Sequence, residues 1–306
     1  MPGRGRPARH DHVRRLAGGA VSDALAAAYD EERPRLVRVA YAILGSHAEA
    51  EDVVADCWLR LVAADEREPV RDVAAWATVT VARAALDVLR SARSRRETYV
   101  GPWLPEPVVA DLEDRVSLDD SVRYALLVAL ERLTPAERTA WVLHDIFEMP
   151  FADVAAAVGR TPEAVRQLAR RAREHVAAGT PRVAVDASTH DRVVGAFLGA
   201  AAGGDLAGLV QLLDPSVVLT SDGGGVVNAA RRPVVGPDRV SRFFAGVARK
   251  EGQVEIVDVN GRTGVAMLVD GRLHSVVSFT VDGELITRID IVLAPDKLSA
   301  ARSAGR

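Results

Sequence analysis

Apolar residues recur at three- and four-residue spacing up to about Ala64, and the pattern is interrupted at Gly45. That spacing predicts helices. Ser46-His47-Ala48-Glu49 reads as a capping box opening a new helix. In it Ala50, Val53, Val54, Cys57, Trp58, Leu61 and Val62 share an apolar face, while Asp52, Asp56 and Arg60 fall at four-residue spacing opposite. A third helix is predicted over about Asp72 to Ala92, with Arg83, Asp87 and Arg90 along one side. The nine residues from Tyr99 to Pro107 hold three prolines, which enforce an extended path. Helical spacing resumes near Ser121. Thr134-Pro135-Ala136-Glu137 is a further helix start, with Thr as cap and Pro in the first turn; the helix it opens is expected to run to about Phe147.

The sharpest local pattern is at 151–175. A short helix, Phe151 to Val158, stops at Gly159, and Thr161-Pro162-Glu163 opens another that reaches His175. Ala155 is small where two helices must approach, and Val165 anchors the second. This is the pattern of a helix-turn-helix, whose second helix turns Arg166, Gln167, Arg170, Arg171 and Arg173 outward.

After Thr180-Pro181 the pattern changes. An amphipathic helix is predicted from Asp191 to Ala202, and Gly203-Gly204-Asp205 caps a second that ends at Asp214-Pro215. Asn260-Gly261, Asp270-Gly271 and Asp282-Gly283 then punctuate alternating runs such as Val277-Ser278-Phe279-Thr280-Val281 and Arg288-Ile289-Asp290-Ile291. Such dipeptides between alternating runs mark hairpins. Helices followed by a four-strand meander predict an α+β unit whose curved sheet wraps the helices.

Composition narrows the function classes. The 306 residues carry a net charge of −3, which excludes a uniformly basic nucleic-acid coat but hides local blocks. Arg83, Arg90, Arg93, Arg95 and Arg96 face only Asp87 between residues 83 and 96, a net +4. Residues 97–120 are net −6, and residues 160–173 are again net +4. Two basic stretches therefore flank an acidic connector. Cys57 is the only cysteine, so a disulfide scaffold and a multi-cysteine zinc site are excluded. No apolar run of 18 residues exists, and the arginine-rich start followed by Ser22 and Asp23 does not form a signal peptide. A soluble cytoplasmic protein without metal or cofactor is expected.

These motifs resemble an RNA polymerase sigma factor of the extracytoplasmic-function group. The run from Ala50 to Leu61 is similar to that family's region 2 helix for core polymerase. Ala85-Leu86-Asp87-Val88-Leu89-Arg90-Ser91 is similar to its promoter-melting and minus-ten helix. Leu133 to Arg138 with the helix-turn-helix is similar to region 4, which reads the minus-thirty-five element. Trp103-Leu104-Pro105-Glu106-Pro107, Asp222-Gly223-Gly224-Gly225 and Pro295-Asp296-Lys297-Leu298 resemble the SigJ-type subgroup, whose C-terminal domain is SnoaL-like, of the nuclear-transport-factor-like fold. Val226 stands where that subgroup usually has lysine, and Ala294 where it usually has asparagine.

The resemblance implies a multi-domain chain: two all-α sigma domains, a region 2 helical bundle and a region 4 helix-turn-helix, plus an α+β SnoaL-like domain. The expected divisions are a disordered basic extension (1–22), region 2 (23–97), an acidic Pro-containing linker (98–120), region 4 (121–179) and the SnoaL-like regulatory domain (187–298). It implies that Asp52, Asp56, Trp58 and Arg60 contact core RNA polymerase. Arg83, Arg90, Arg93, Arg95 and Arg96 would bind promoter DNA at the minus-ten element, and Arg166, Gln167, Arg170, Arg171 and Arg173 at the minus-thirty-five element. Trp103, Pro105, Asp222, Gly223, Gly224, Gly225, Asp296 and Lys297 would form an interdomain regulatory contact. No catalytic residue is expected. Asp222, His274 and Asp290 are the titratable candidates in the C-terminal part, and turn chemistry or solvation accounts for each. The function implied is promoter recognition and initiation with core polymerase, modulated by the C-terminal domain. The alternative is a one-component DNA-binding regulator with a small-molecule ligand in that domain.

Overall fold

Helices α1 (His10–Leu44) and α2 (His47–Asp65) are joined by a turn that Gly45 makes in the left-handed region, at φ 71°. The computed structural model describes residues 10–97, 99, 101–110, 122–179, 185–247 and 252–301, with backbone alone for 10–22, 93–97, 247 and 300. α1 extends back to His10, so the extension expected to be disordered to residue 22 is helical from there on. Arg14, Arg15, Leu16 and Ala17 are good helix formers, and lengthening an established helix is cheap once its nucleus exists. Residues 1–9 lie outside the described ones.

α3 (Val73–Glu97) crosses α1 and α2, and a second helical group packs on it: α4 (Tyr124–Leu130), α5 (Pro135–Trp141), α6 (Phe151–Val158) and α7 (Pro162–Gly179). α5 is shorter than its pattern predicts because the chain widens into a π-helical turn over Val142–Ile146. The two groups share one apolar core. Leu36, Ile43, Leu61 and Leu86 of the first join Leu127, Leu130, Leu143, Val154 and Val165 of the second.

The remaining elements are α8 (Ala187–Gly203), α9 (Leu206–Gln211), α10 (Pro237–Val247), α11 (Pro295–Ala301) and a sheet of β1 (Val109–Ala110), β2 (Leu213–Asp222), β3 (Val234–Val235), β4 (Gln253–Val259), β5 (Arg262–Val269), β6 (Arg272–Asp282) and β7 (Leu285–Val292). The strand order is β1-β4-β5-β6-β7-β2-β3, with β2 parallel to β7 and the other pairs antiparallel. β4 to β7 form the expected meander. Asn260 (φ 51°) and Asp270 (φ 50°) precede glycines that are also at positive φ, as type I′ turns require.

Two corrections concern this sheet. Among the described residues it has seven strands, not four, and the segment from Leu213 that reads as the end of a helix is the start of β2. Pro215 is accommodated where the β2–β7 register shifts between Leu213 and Val218, consistent with proline being confined to irregular positions of a sheet. β1 comes from the proline-rich connector: Val109 pairs with Val259 and Ala110 with Asp258. One sheet face packs on α8–α10 through Phe197, Val240, Phe279 and Ile289. The other packs on connector and α4 through Leu104, Tyr124, Val276 and Val292.

Candidate interdomain hub and nucleic-acid interface

The helix-turn-helix is built as its sequence demands. Gly159 ends α6 at φ 70°, and the buried face of α7 consists of Val165, Ala169, Ala172 and Val176. Arg166, Gln167, Arg170, Arg171 and Arg173 all lie on the exposed side. Three are steered by neighbours: Arg166 pairs with Glu163 at 3.4 Å and lies 5.4 Å over the Phe151 ring, Arg173 pairs with Asp145, and Arg171 is 4.0 Å from Glu137. Exposed pairs of this kind are weak, so the guanidinium groups can exchange partners at little cost.

On α2, Asp52, Asp56 and Arg60 are exposed, and Leu59 among them is 67% exposed. Trp58 is half-buried against Tyr29, with ring centroids 5.4 Å apart. On α3, Arg90 is exposed beside Asp87 at 3.3 Å. Arg83 is turned toward the helix-turn-helix: its Nε and Nη2 donate to the Ala156 carbonyl at 3.0 and 2.8 Å. The side chains of Arg93, Arg95 and Arg96 lie outside the described residues.

The densest polar construction surrounds the connector. Asp222 is fully buried, and its two oxygens accept four hydrogen bonds. Oδ1 takes the Tyr99 hydroxyl (2.6 Å) and the Gly224 amide (2.9 Å); Oδ2 takes the Leu104 amide (2.8 Å) and Lys297 Nζ (2.6 Å). Lys297 also donates to the Leu104 carbonyl at 2.5 Å and lies 4.0 Å from the centroid of the Trp103 ring, a cation–π contact. Burial beside the Asp222 carboxylate pushes the Tyr99 hydroxyl well above its ordinary pKa, so it stays a donor.

Glycines shape the turn after Asp222. A Cβ at Gly223 would meet the Val227 carbonyl at 2.2 Å, and one at Gly224 (φ 69°) would meet the Ala294 methyl at 3.2 Å. Gly225 shares the left-handed conformation, at φ 73°. Ala294 is buried against this turn, while Val226 is 81% exposed. Asp296 stands with Tyr99 and Trp103 around a cleft beside α2.

Further along the connector, Glu106 is buried at the start of α2. Its Oε2 accepts from Ser46 Oγ (2.9 Å) and from the His47 amide (3.0 Å), and its own amide donates to the Gly45 carbonyl (2.8 Å). The Ser46 capping box is therefore completed from outside the helix. Burial raises the Glu106 pKa, and these donors oppose the shift. The Pro105 carbonyl accepts from Tyr124 and the Glu106 carbonyl from Tyr41. Asn260 of the β4–β5 turn exchanges two bonds with the Val108 backbone and donates to Tyr41 Oη at 2.9 Å and to the Val122 carbonyl. Within twelve residues the connector thus touches the α1–α2 turn, α4 and the sheet.

The other titratable candidates are occupied differently. Asp290 is buried in a bidentate pair with Arg288, which also reaches Thr220. His274 is half-buried near the start of β6.

Residues 28–95 match the family description Sigma-70 region 2, and residues 123–176 match Sigma-70, region 4. The chain is 40% identical over 292 residues to the ECF RNA polymerase sigma factor SigJ of Mycobacterium tuberculosis, covering 89% of this chain and 93% of that one. This chain belongs to the extracytoplasmic-function sigma factors. It is 35% identical to the probable ECF RNA polymerase sigma factor SigI of the same species, over 92% of this chain and 97% of that one. The crystal structure of the M. tuberculosis sigma factor SigJ superposes with a TM-score of 0.74 at 37% identity, over 90% of this chain and 98% of that one.

In this sigma factor the sequence reading misses three features of the site. Leu59 adds an apolar patch to the charged strip on region 2, and its place on the polar side of the helix is the available signal. Glu106 reads as one acid of the Pro-containing connector, within the motif that resembles the SigJ-type subgroup, and Asn260 reads as a turn residue. Their roles depend on partners 60 and 219 residues away, Ser46 and Tyr41. No helix among the described residues is long and apolar enough to cross a membrane.

Proposed function

We propose that this chain directs core RNA polymerase to promoters with a minus-thirty-five and a minus-ten element, and that its C-terminal domain sets how readily it does so. The observation that carries the DNA-binding part is the exposed row of Arg166, Gln167, Arg170, Arg171 and Arg173 on a helix buried along its opposite side. Arginine forks on such a helix suit guanine edges and phosphates. Asp52, Asp56 and Arg60, with Leu59 and Trp58, supply a charged and apolar strip for the polymerase. Arg90, and with it Arg83, Arg93, Arg95 and Arg96, serves the minus-ten DNA. Polymerase carries out the chemistry.

Modulation by the C-terminal domain rests on the hub. Asp222, Lys297 and Asn260 hold the connector that links region 2 to region 4, so the domain biases the arrangement of the two DNA-binding parts. Arg83 bonded to α6 belongs to this closed arrangement and must let go to meet DNA. The test is run-off transcription with purified core polymerase. Arg170→Ala is expected to lower output without altering polymerase pull-down, Asp56→Arg to weaken the pull-down, and Lys297→Met to change output with both contact faces intact. Output unaffected by Arg170→Ala, Arg166→Ala and Gln167→Ala alike removes α7 as the reading helix. Output unaffected by Lys297→Met removes the hub as a control point.

A further inference from the structure

Asp186 caps α8: its side chain accepts from the Thr189 amide at 2.7 Å, and its carbonyl accepts from the His190 amide at 3.1 Å. His190 is thereby fixed in the first turn of the helix, 3% exposed, with its Nε2 at 3.1 Å from the Phe279 carbonyl of β6. A carbonyl only accepts, so Nε2 carries the proton. Burial lowers the pKa of the ring, which leaves Nδ1 a bare acceptor. That atom is buried without a hydrogen-bond partner. Asp191 Oδ1, 3.8 Å away, is another acceptor and takes the Thr263 hydroxyl at 2.6 Å. A buried acceptor without a donor is costly, and a hydroxyl donating to it removes that cost.

His190 lines a cavity of about 240 Å³ where α4, the start of α8 and the β4–β5 turn meet. Leu126, Val259 and Val281 give it apolar walls. Phe197, Val240 and Ile289, which fill the space between the sheet and α8–α10, are not among them, so the cavity is a gap between region 4 and the C-terminal domain rather than the interior of that domain. Arg123 and Arg262 line it too, and both are already engaged with other groups of the chain. Among the described lining residues, His190 alone has a buried side-chain atom with no partner. The unmet need in the cavity is therefore for a donor. In size it exceeds the ~150 Å³ apolar cavity known to take up benzene and falls below the ~300 Å³ at which pockets for drug-sized ligands begin.

We propose that this cavity binds a small hydroxyarene, a neutral phenol or naphthol, whose hydroxyl donates to His190 Nδ1 while its ring lies against Leu126, Val259 and Val281. A phenolic hydroxyl is a stronger donor than an alkyl alcohol, and a planar ring has no torsions to freeze on entering. Such a ligand touches both region 4 and the C-terminal domain, and so favours the arrangement in which the two are in contact. The site stands whether or not the domain controls transcription, because binding is read on the free protein.

The test is isothermal titration of the full chain at pH 7.5 with 2-naphthol and with 2-methoxynaphthalene, whose oxygen cannot donate. Saturable one-to-one binding of naphthol is expected, with the ether at least tenfold weaker. The ¹⁵N resonance of His190 Nδ1 is expected to move on titration with naphthol. His190→Phe is expected to abolish the difference between the two ligands, and Ala125→Phe, which adds a ring to the α4 wall, to abolish binding with the circular dichroism spectrum unchanged. If either variant fails to fold, the ligand pair and the Nδ1 resonance, both read on the wild type, decide the matter. Absence of saturable naphthol binding overturns the proposal. So do equal affinities for naphthol and ether, an unmoved Nδ1 resonance, or binding that survives Ala125→Phe in a folded chain.

Discussion

Replacing Lys297 by methionine keeps the aliphatic stem and removes the charge that faces Asp222. The carboxylate then stays fully buried with three of its four donors, the Tyr99 hydroxyl and the amides of Leu104 and Gly224. Breaking a buried ion pair from one side costs about 3–5 kcal/mol, because the remaining charge is uncompensated. The Leu104 carbonyl also loses its partner, and the Trp103 ring loses the cation at 4.0 Å. The three remaining hydrogen bonds place the expected cost at the lower end, about 3 kcal/mol. The loss is local to the connector, so hydrogen exchange on the full chain is the suitable assay. The Leu104 amide, bonded to Asp222, is expected to exchange about a hundredfold faster, while amides in the α1–α3 core hold their rates. Asp222→Asn combined with Lys297→Met removes both charges and is expected to cost less than the sum of the single changes, with a coupling of about 1–3 kcal/mol. Exchange at Leu104 within threefold of wild type, or strictly additive substitutions, refutes the ion pair as the tie.

Asn260→Ala is expected to destabilise by about 2–4 kcal/mol in urea unfolding, since it strands the buried Val108 amide, takes a donor from Tyr41 Oη and the Val122 carbonyl, and puts alanine at φ 51°. Asn260→Gly keeps the turn and loses only the bonds, so a milder cost for glycine separates the two contributions. Gly224→Ala is expected to cost more than Gly159→Ala: both sit near φ 70°, but only the first Cβ meets a neighbour, Ala294, whereas the second enters open space. Equal midpoint shifts in thermal unfolding contradict the close approach. His190 gives the pH prediction. Burial, reinforced by Arg262, lowers its pKa; the Phe279 carbonyl and Asp191 oppose the shift. A histidine whose folded pKa lies below its unfolded value contributes stability that is complete above about pH 6.5 and is lost as pH falls toward the folded value. Glu106, with its raised pKa, acts in the opposite sense, its stabilisation being lost as pH rises from about 4.5. Unfolding midpoints from pH 8 to 5.5 are expected to fall for the wild type and to fall less for His190→Gln; identical slopes reject the assignment.

What sequence could reveal was whatever repeats locally. Gly159 between two helix starts, the Thr134 capping box and the Asn260-Gly261 and Asp270-Gly271 turns are each written in a few neighbouring residues, and each takes its expected form. β2 was hidden because Pro215 argues against a strand wherever the register shift that absorbs it is unknown. The hub was only half legible. The resemblance pairs Trp103 with Asp222 and Lys297, but the fourfold satisfaction of Asp222 joins residues up to 123 positions apart. Arg83 shows the converse limit. Its spacing along α3 sets its direction, but not that the Ala156 carbonyl stands within reach.

Because Val109 and Ala110 are strand residues of the C-terminal sheet, the chain cannot be cut into a sigma factor and an appendage at residue 180. A fragment ending there keeps Leu104, Glu106 and Val108 but loses the surfaces that order them. The Val108 amide, the Leu104 amide and the Tyr99 hydroxyl lose their acceptors together. The α1–α2 turn, which leans on Glu106, then rests on a loosened support. Comparing full-length and shortened chains therefore measures the melting of the connector along with the removal of the domain. A chimera that grafts this domain onto another sigma factor has to carry residues 99–110 with it, or it transfers a sheet with a bare edge and an Asp222 carboxylate stripped of its Tyr99 and Leu104 donors.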